Sequence, residues 1–89
     1  MPENGNRIFI RKRDLVIRLN AMIGKEGGLT DKTARSIKKA SAICDKQMEN
    51  RKYSREEIEK LFRKQMKRTE LKIAMNAVDT CLVQEEFVA

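Results

Sequence analysis

The chain has 89 residues, of which 37% are charged and 40% hydrophobic, with four glycines and one proline. This length allows one small domain, and the scarcity of glycine and proline argues against a disordered or collagen-like chain. No apolar run reaches about 18 residues, and the start "MPENGNRIF" lacks the apolar core of a signal peptide. We therefore expect a cytoplasmic protein that does not enter a membrane.

The charge is basic and unevenly distributed. The formal net charge is +7, all twenty lysines and arginines lie in residues 1–72 with ten acids, and residues 73–89 hold three acids and no base. A basic segment of this kind favours a polyanionic partner. We expect the C-terminal segment to make apolar contacts within a core or a dimer.

The stretch "RIFIRKRDLVIRL" at residues 7–19 fits two different periods. The alternation around Ile8 and Ile10 is typical of a short strand, whereas Ile8 and Leu15 also share one stripe of a continuous helix. Residues 7–11 are therefore either a short strand, or a helix or irregular arm.

Two helices are predicted next, over residues 13–25 and from about residue 31 to residue 50. Gly27 and Gly28 suit a left-handed cap after the first helix, and Thr30 or Asp31 can cap the second. The second helix carries a narrow stripe of small and apolar residues that we expect to be buried, namely Ala34, Ile37, Ser41, Cys44 and Met48.

The strongest helix-start signal is "YSREEI". Ser54 and Glu57 have the spacing of a capping box, and Tyr53 and Ile58 that of a hydrophobic staple. The sequence beyond it is one long helix whose buried face rotates, or two helices broken around "KRTE". A heptad-like run is expected to be buried on the first two helices or across a dimer interface, and consists of Leu71, Met75, Val78 and Leu82.

These elements predict a mainly α fold of three to four helices, with a short N-terminal β-strand as the open alternative. Residues 1–89 form a single basic domain in this interpretation, and residues 1–6 are a disordered tail.

The residue types needed for catalysis are scarce. The chain has no histidine, no glycine-rich phosphate loop and no carboxylate pair in apolar surroundings. Cys44 and Cys81 lie far apart without metal-ligand spacing, so we interpret them as free thiols, although a single bridge between them stays open. We expect neither an enzyme nor a cofactor or metal.

Four basic clusters carry the functional hypothesis: "RKR" at 11–13, "RSIKK" at 35–39, "RKYSR" at 51–55 and "RKQMKR" at 63–68. Acids near each cluster do not offset its charge along the sequence, and the few aromatic residues argue against single-strand binding. The predicted contacts are therefore to the phosphates of duplex DNA. The candidate residues are Arg7, Arg11, Lys12, Arg13, Lys38, Lys39, Arg63, Lys64, Lys67 and Arg68.

Read as strand, helix, glycine stop and helix, residues 7–49 resemble the ribbon-helix-helix DNA-binding fold. In that family two chains pair their strands into a ribbon that reads the major groove. The resemblance implies that DNA is faced by Arg7, Phe9 and Arg11, and the core by Ile8 and Ile10. It also implies a phosphate site at the start of the second helix, near Thr30 and Lys32.

The sequence thus predicts a small DNA-binding protein, a homodimer that acts as a transcription regulator or accessory factor. The alternative is a protein-interaction module, a helical adaptor or inhibitor that docks on an acidic partner through the same bases.

Overall fold

A computed structural model of the protein describes residues 8–24 and 31–88. The elements in chain order are β1 (Phe9–Arg11), α1 (Lys12–Gly24), α2 (Asp31–Gln47), β2 (Lys52–Ser54), α3 (Arg55–Arg63) and α4 (Arg68–Val88). The mainly α fold with a short N-terminal strand is confirmed. The predicted tail at residues 1–6, the candidate Arg7, the cap at Gly27 and Gly28, and Thr30 lie outside the described residues.

The two strands form an antiparallel ribbon within one chain. Phe9 faces Ser54, Ile10 faces Tyr53 and Arg11 faces Lys52. Ile10 is fully buried and Tyr53 is 8% exposed, so their side chains form the inner face of the ribbon. Of the alternatives for residues 7–11, the structure contains the strand at Phe9–Arg11, because β2 supplies its hydrogen-bonding partner.

Helices α1 and α2 form an antiparallel hairpin. Leu15 and Leu19 face inward from α1, and the predicted stripe on α2 is buried except for the half-buried Ala34. The hydroxyl of Ser41 donates to Asn20 Oδ1 at 2.7 Å between the two helices. Helix α2 ends three residues before the predicted position, because the chain must turn back to bring β2 beside β1.

The capping box at the start of α3 is confirmed. The backbone N–H of Glu57 donates to Ser54 Oγ at 3.2 Å, and Ser54 N–H donates to Glu57 Oε1 at 2.9 Å. Tyr53 and Ile58, the predicted staple, are both buried in the core. The capping box therefore supplies acceptors for two backbone donors at the start of α3, the N–H groups of Ser54 and Glu57.

The long C-terminal helical segment is two helices. The chain turns after Arg63, where the N–H groups of Gln65 and Met66 both donate to Phe62 O at 2.9 Å. Helix α4 then starts with a side-chain cap, since Glu70 Oε1 accepts the N–H of Lys67 at 3.0 Å. The break covers residues 64–67, so it includes the first residue of "KRTE" and the other three begin α4. It lets α4 fold back over the α1–α2 hairpin.

Helix α4 completes the core. Met75, Val78 and Leu82 are buried and Leu71 is half-buried, all within the single chain. They join Leu15 and the other side chains of one continuous apolar cluster. No described helix is both long enough and apolar enough to cross a membrane.

Replacing Ser54 by Ala should lower the free energy of unfolding by about 1 kcal/mol, because the N–H of Glu57 loses its acceptor. Ser54→Asp is the matched control, since aspartate also caps helices and should remain near the native stability. Urea unfolding of the three proteins measures the difference. Equal stability of the native and Ala proteins would contradict the capping assignment.

Replacing Leu82 by Ala should cost roughly 2–4 kcal/mol, because it opens a cavity in the core between α4 and its neighbours. Gln84→Ala, two residues away on the exposed side of α4, should change stability little. Denaturant unfolding measures the stability of both variants. A Leu82 variant that loses as little stability as the Gln84 variant would contradict the assignment of Leu82 to the buried face of α4.

Candidate nucleic-acid interface

The outer face of the ribbon carries two bases side by side. Arg11 and Lys52 occupy directly opposite positions on β1 and β2, and both side chains are exposed. Neither makes an ion pair with an acid in the described ranges 8–24 and 31–88. Like charges at directly opposite positions destabilise a strand pair. This face is therefore suited to an anionic partner that removes the repulsion.

A polar network surrounds the turn that leads into β2. The Arg51 guanidinium lies 3.8 Å from the centroid of the Tyr53 ring, and its Nη2 pairs with Glu57 Oε2 at 3.1 Å. The Tyr53 hydroxyl accepts the N–H of Glu49 at 2.7 Å. The hydrogen bond from Ser54 N–H and the charge of Arg51 lower the pKa of Glu57, so that carboxylate stays ionised. The turn before β2 is therefore fixed by a connected polar network.

The start of α1 adds further positive charge. Lys12 and Arg13 follow Arg11 directly, and the N–H of Lys12 donates to Arg51 O at 3.1 Å, which extends the ribbon into the helix. Bases at a helix N-terminus add to the positive end of the helix dipole, and Asp14 offsets only part of this charge. We define the basic ribbon surface as Arg11, Arg13 and Lys52, because Lys12 is half-buried and its charge acts on the buried Cys44.

Two of the other predicted bases are paired with acids. Lys39 Nζ lies 3.2 Å from Glu70 Oε1, and Arg63 Nη2 lies 2.7 Å from Glu59 Oε2. Both bases are partly neutralised by intramolecular pairs, which makes them weaker candidates for phosphate contact than Arg11.

The "RKYSR" cluster is also offset. Arg51 pairs with Glu57, and Arg55 Nε lies 2.6 Å from Asp79 Oδ1 across α3 and α4. The expectation that acids do not offset the basic clusters is therefore wrong here. The pair of Arg55 with Glu59 is one turn apart on α3, whereas Arg51 reaches Glu57 from the turn before β2 and Arg55 reaches Asp79 on another helix. The last two pairs do not follow from sequence spacing.

The remaining predicted bases are not gathered at the ribbon. Lys38 lines a small groove with Ile23 at the other end of the hairpin, about 18 Å from the ribbon by helix length. Lys64 borders a groove of about 400 Å³ that Arg51 and Tyr53 also line, on the side of β2 opposite Lys52. Lys67 and Arg68 are exposed at the start of α4. Of the nine candidates within the described residues, those at the ribbon are Arg11, Lys12 and Arg13, which are already consecutive in the sequence.

Lys52 was not among the sequence candidates. The available signal was the alternation in "KYS" directly before the capping box, in which Tyr53 is the inward residue. Three residues are too few for a strand pattern to be distinguished from a turn.

No protein-family model, curated protein or solved structure matches this chain, so its function rests on the geometry of the described residues. The partner of β1 in the structure is β2 of the same chain. A ribbon shared between two chains, as the ribbon-helix-helix resemblance implies, stays a prediction. The described residues contain no group of three or more potential metal ligands.

The two cysteines are buried free thiols. Burial raises the pKa of Cys44 to about 12 and that of Cys81 to about 11. Both are therefore protonated at neutral pH and lack the thiolate character of a reactive cysteine.

Stability should fall as pH rises above about 9, the ordinary pKa of these thiols. There the unfolded chain loses protons that Cys44 and Cys81 retain when folded, so unfolding becomes more favourable. We expect a decrease of about 2–3 kcal/mol for the two thiols together between pH 8 and pH 10, measured as the difference from a Cys44→Ala, Cys81→Ala control. A decrease of equal size in that control would assign the effect to other groups.

Proposed function

We propose that the protein binds duplex DNA through phosphate contacts made by the basic ribbon surface. The observation that carries the proposal is the opposed pair of Arg11 and Lys52, exposed and without an acidic partner in the described part of the chain. Phosphate neutralisation would convert this unfavourable pair into a favourable contact, and displaced counterions would add to the binding free energy.

The shape of the surface supports a duplex over a single strand. A two-stranded ribbon fits the major groove of B-DNA, and the exposed Phe9 on the same face can make an apolar contact with a thymine methyl. Single-strand binders stack bases on several aromatic side chains. Here Tyr53 and Phe62 are buried in the core, so Phe9 is the exposed aromatic residue on the ribbon.

The ribbon in this proposal differs from that of the ribbon-helix-helix family in the origin of its strands. One chain contributes both β1 and β2, so Lys52 takes the place that a second chain's strand would have. Bound in this way, the protein acts in the cytoplasm as a regulator or accessory factor of DNA, without catalysing a reaction.

The salt dependence of DNA binding tests the proposal. Each phosphate contact contributes about 0.9 to the slope of log K against log salt. The double variant Arg11→Gln, Lys52→Gln should therefore lower the slope by about 2 units, measured by fluorescence anisotropy with a mixed-sequence duplex. The matched control is Arg35→Gln, Lys38→Gln, which removes the same charge at the other end of the hairpin and should leave the slope nearly unchanged.

Two results would overturn the proposal. An equal decrease in both double variants would show that the ribbon is not the site. Undetectable binding of the native protein to duplex at low salt would exclude DNA as the partner. The second result would favour an acidic protein as the partner of these bases.

A further inference from the structure

Helix α4 carries a regularly spaced row of residues on the side that faces away from the core. Asn76 and Thr80 lie two positions before and after the buried Val78, which places them on the side of the helix opposite the core. The same side continues in alternate steps of four and three residues along the whole helix. We call this stripe the outer seam, and it consists of Thr69, Ile73, Asn76, Thr80, Val83 and Phe87.

Apart from Ile73, which packs against the edge of the core, the apolar residues of the outer seam are uncovered within the described chain. Val83 is 50% exposed and Phe87 is 84% exposed, although both are large apolar residues. Thr69, Asn76 and Thr80 are also exposed, and Ile73 is half-buried. Steps of four and three residues are the spacing with which one helix packs along another. The seam therefore has the pattern of a helix–helix interface that the monomer leaves open.

The spacing of the outer seam is self-complementary when a second α4 runs antiparallel to the first. Ile73 then faces Val83 of the second copy, and Thr69 faces Phe87 of the second copy. At the centre, Asn76 faces Thr80 of the second copy. The two-fold symmetry repeats this contact, so two polar pairs lie at the centre of the seam, and polar residues at such positions are a known device for fixing register.

The charges beside the seam also favour the antiparallel arrangement. Arg68 and Lys72 lie near the start of α4 and Glu86 lies near its end, all on the same flank of the seam and all exposed. Matching flanks face each other in an antiparallel pair, so the bases of one helix meet Glu86 of the other. Asp79 lies on the same flank near the centre of the helix and is neutralised by Arg55 at 2.6 Å, and Glu85 is engaged by Arg18 at 2.9 Å. Neither acid is needed for this contact.

We infer that the protein forms a homodimer through antiparallel packing of the outer seams of two α4 helices. The interface is one helix wide and about 30 Å long, which is at the small end for a specific complex. Association is therefore expected in the micromolar range. The inference does not depend on DNA binding, because α4 and the basic ribbon surface are separate parts of the fold.

Sedimentation equilibrium of the full chain without DNA, from micromolar to millimolar protein, tests the dimer. The native protein should show a monomer–dimer equilibrium, and the double variant Val83→Ser, Phe87→Ser should raise its Kd at least about tenfold. Gln84→Ser is the matched control and should leave the Kd unchanged. Both changes replace exposed residues, so circular dichroism should show the native helix content in each variant.

A charge exchange tests the direction of packing. Lys72→Glu and Glu86→Lys should each raise the Kd, and the chain carrying both should recover the native value because the opposite charges meet again. A native protein that stays monomeric at millimolar concentration, or a dimer insensitive to the Val83 and Phe87 changes, would overturn the inference. So would failure of the double exchange to recover association, which a parallel arrangement predicts.

Discussion

The pairing of β1 with β2 is the constraint on which the rest of the structure depends. It joins Ile10 to Tyr53, residues about forty positions apart, and so ties the start of the α1–α2 hairpin to the start of α3. A three-residue ribbon is marginal in water without packing. Here the full burial of Ile10 and the near-complete burial of Tyr53 supply that packing. The same register that buries these two side chains places Arg11 beside Lys52 on the outer face.

Ion pairs between distant segments offset part of the positive charge of the helices. Acids late in the chain pair with earlier bases, as Glu85 does with Arg18 and Asp79 with Arg55. Exposed pairs of this kind contribute at most about 1 kcal/mol each, so they are minor for stability. Within the described residues they offset the charge of Arg18, Lys39, Arg51, Arg55 and Arg63, whereas Arg11 and Lys52 on the ribbon keep theirs, as do many of the bases on the helices.

The parts of the fold set by local sequence were predictable, and the parts set by contacts between distant segments were not. The capping box between Ser54 and Glu57 spans three residues, so its spacing alone determines it. The buried run that ends at Leu82 was also correct, but an amphipathic pattern does not specify which surface covers it. Lys52 was missed because its place on the ribbon follows from Ile10 packing beside Tyr53. The pairing of Lys39 with Glu70 was missed for the same reason, since it depends on how α4 folds back over α2.

Isotope-filtered NMR on an equal mixture of labelled and unlabelled protein tests the central claim, that each chain forms its ribbon from its own two strands. The account predicts short Hα and amide contacts between Ile10 and Tyr53 in a uniformly labelled sample. It also predicts that these contacts are absent from the filtered spectrum of the mixture, which selects contacts between different chains. Filtered contacts between Ile10 residues of two chains, or between Ile10 of one chain and Tyr53 of another, would contradict the account, because the strands would then be shared between chains.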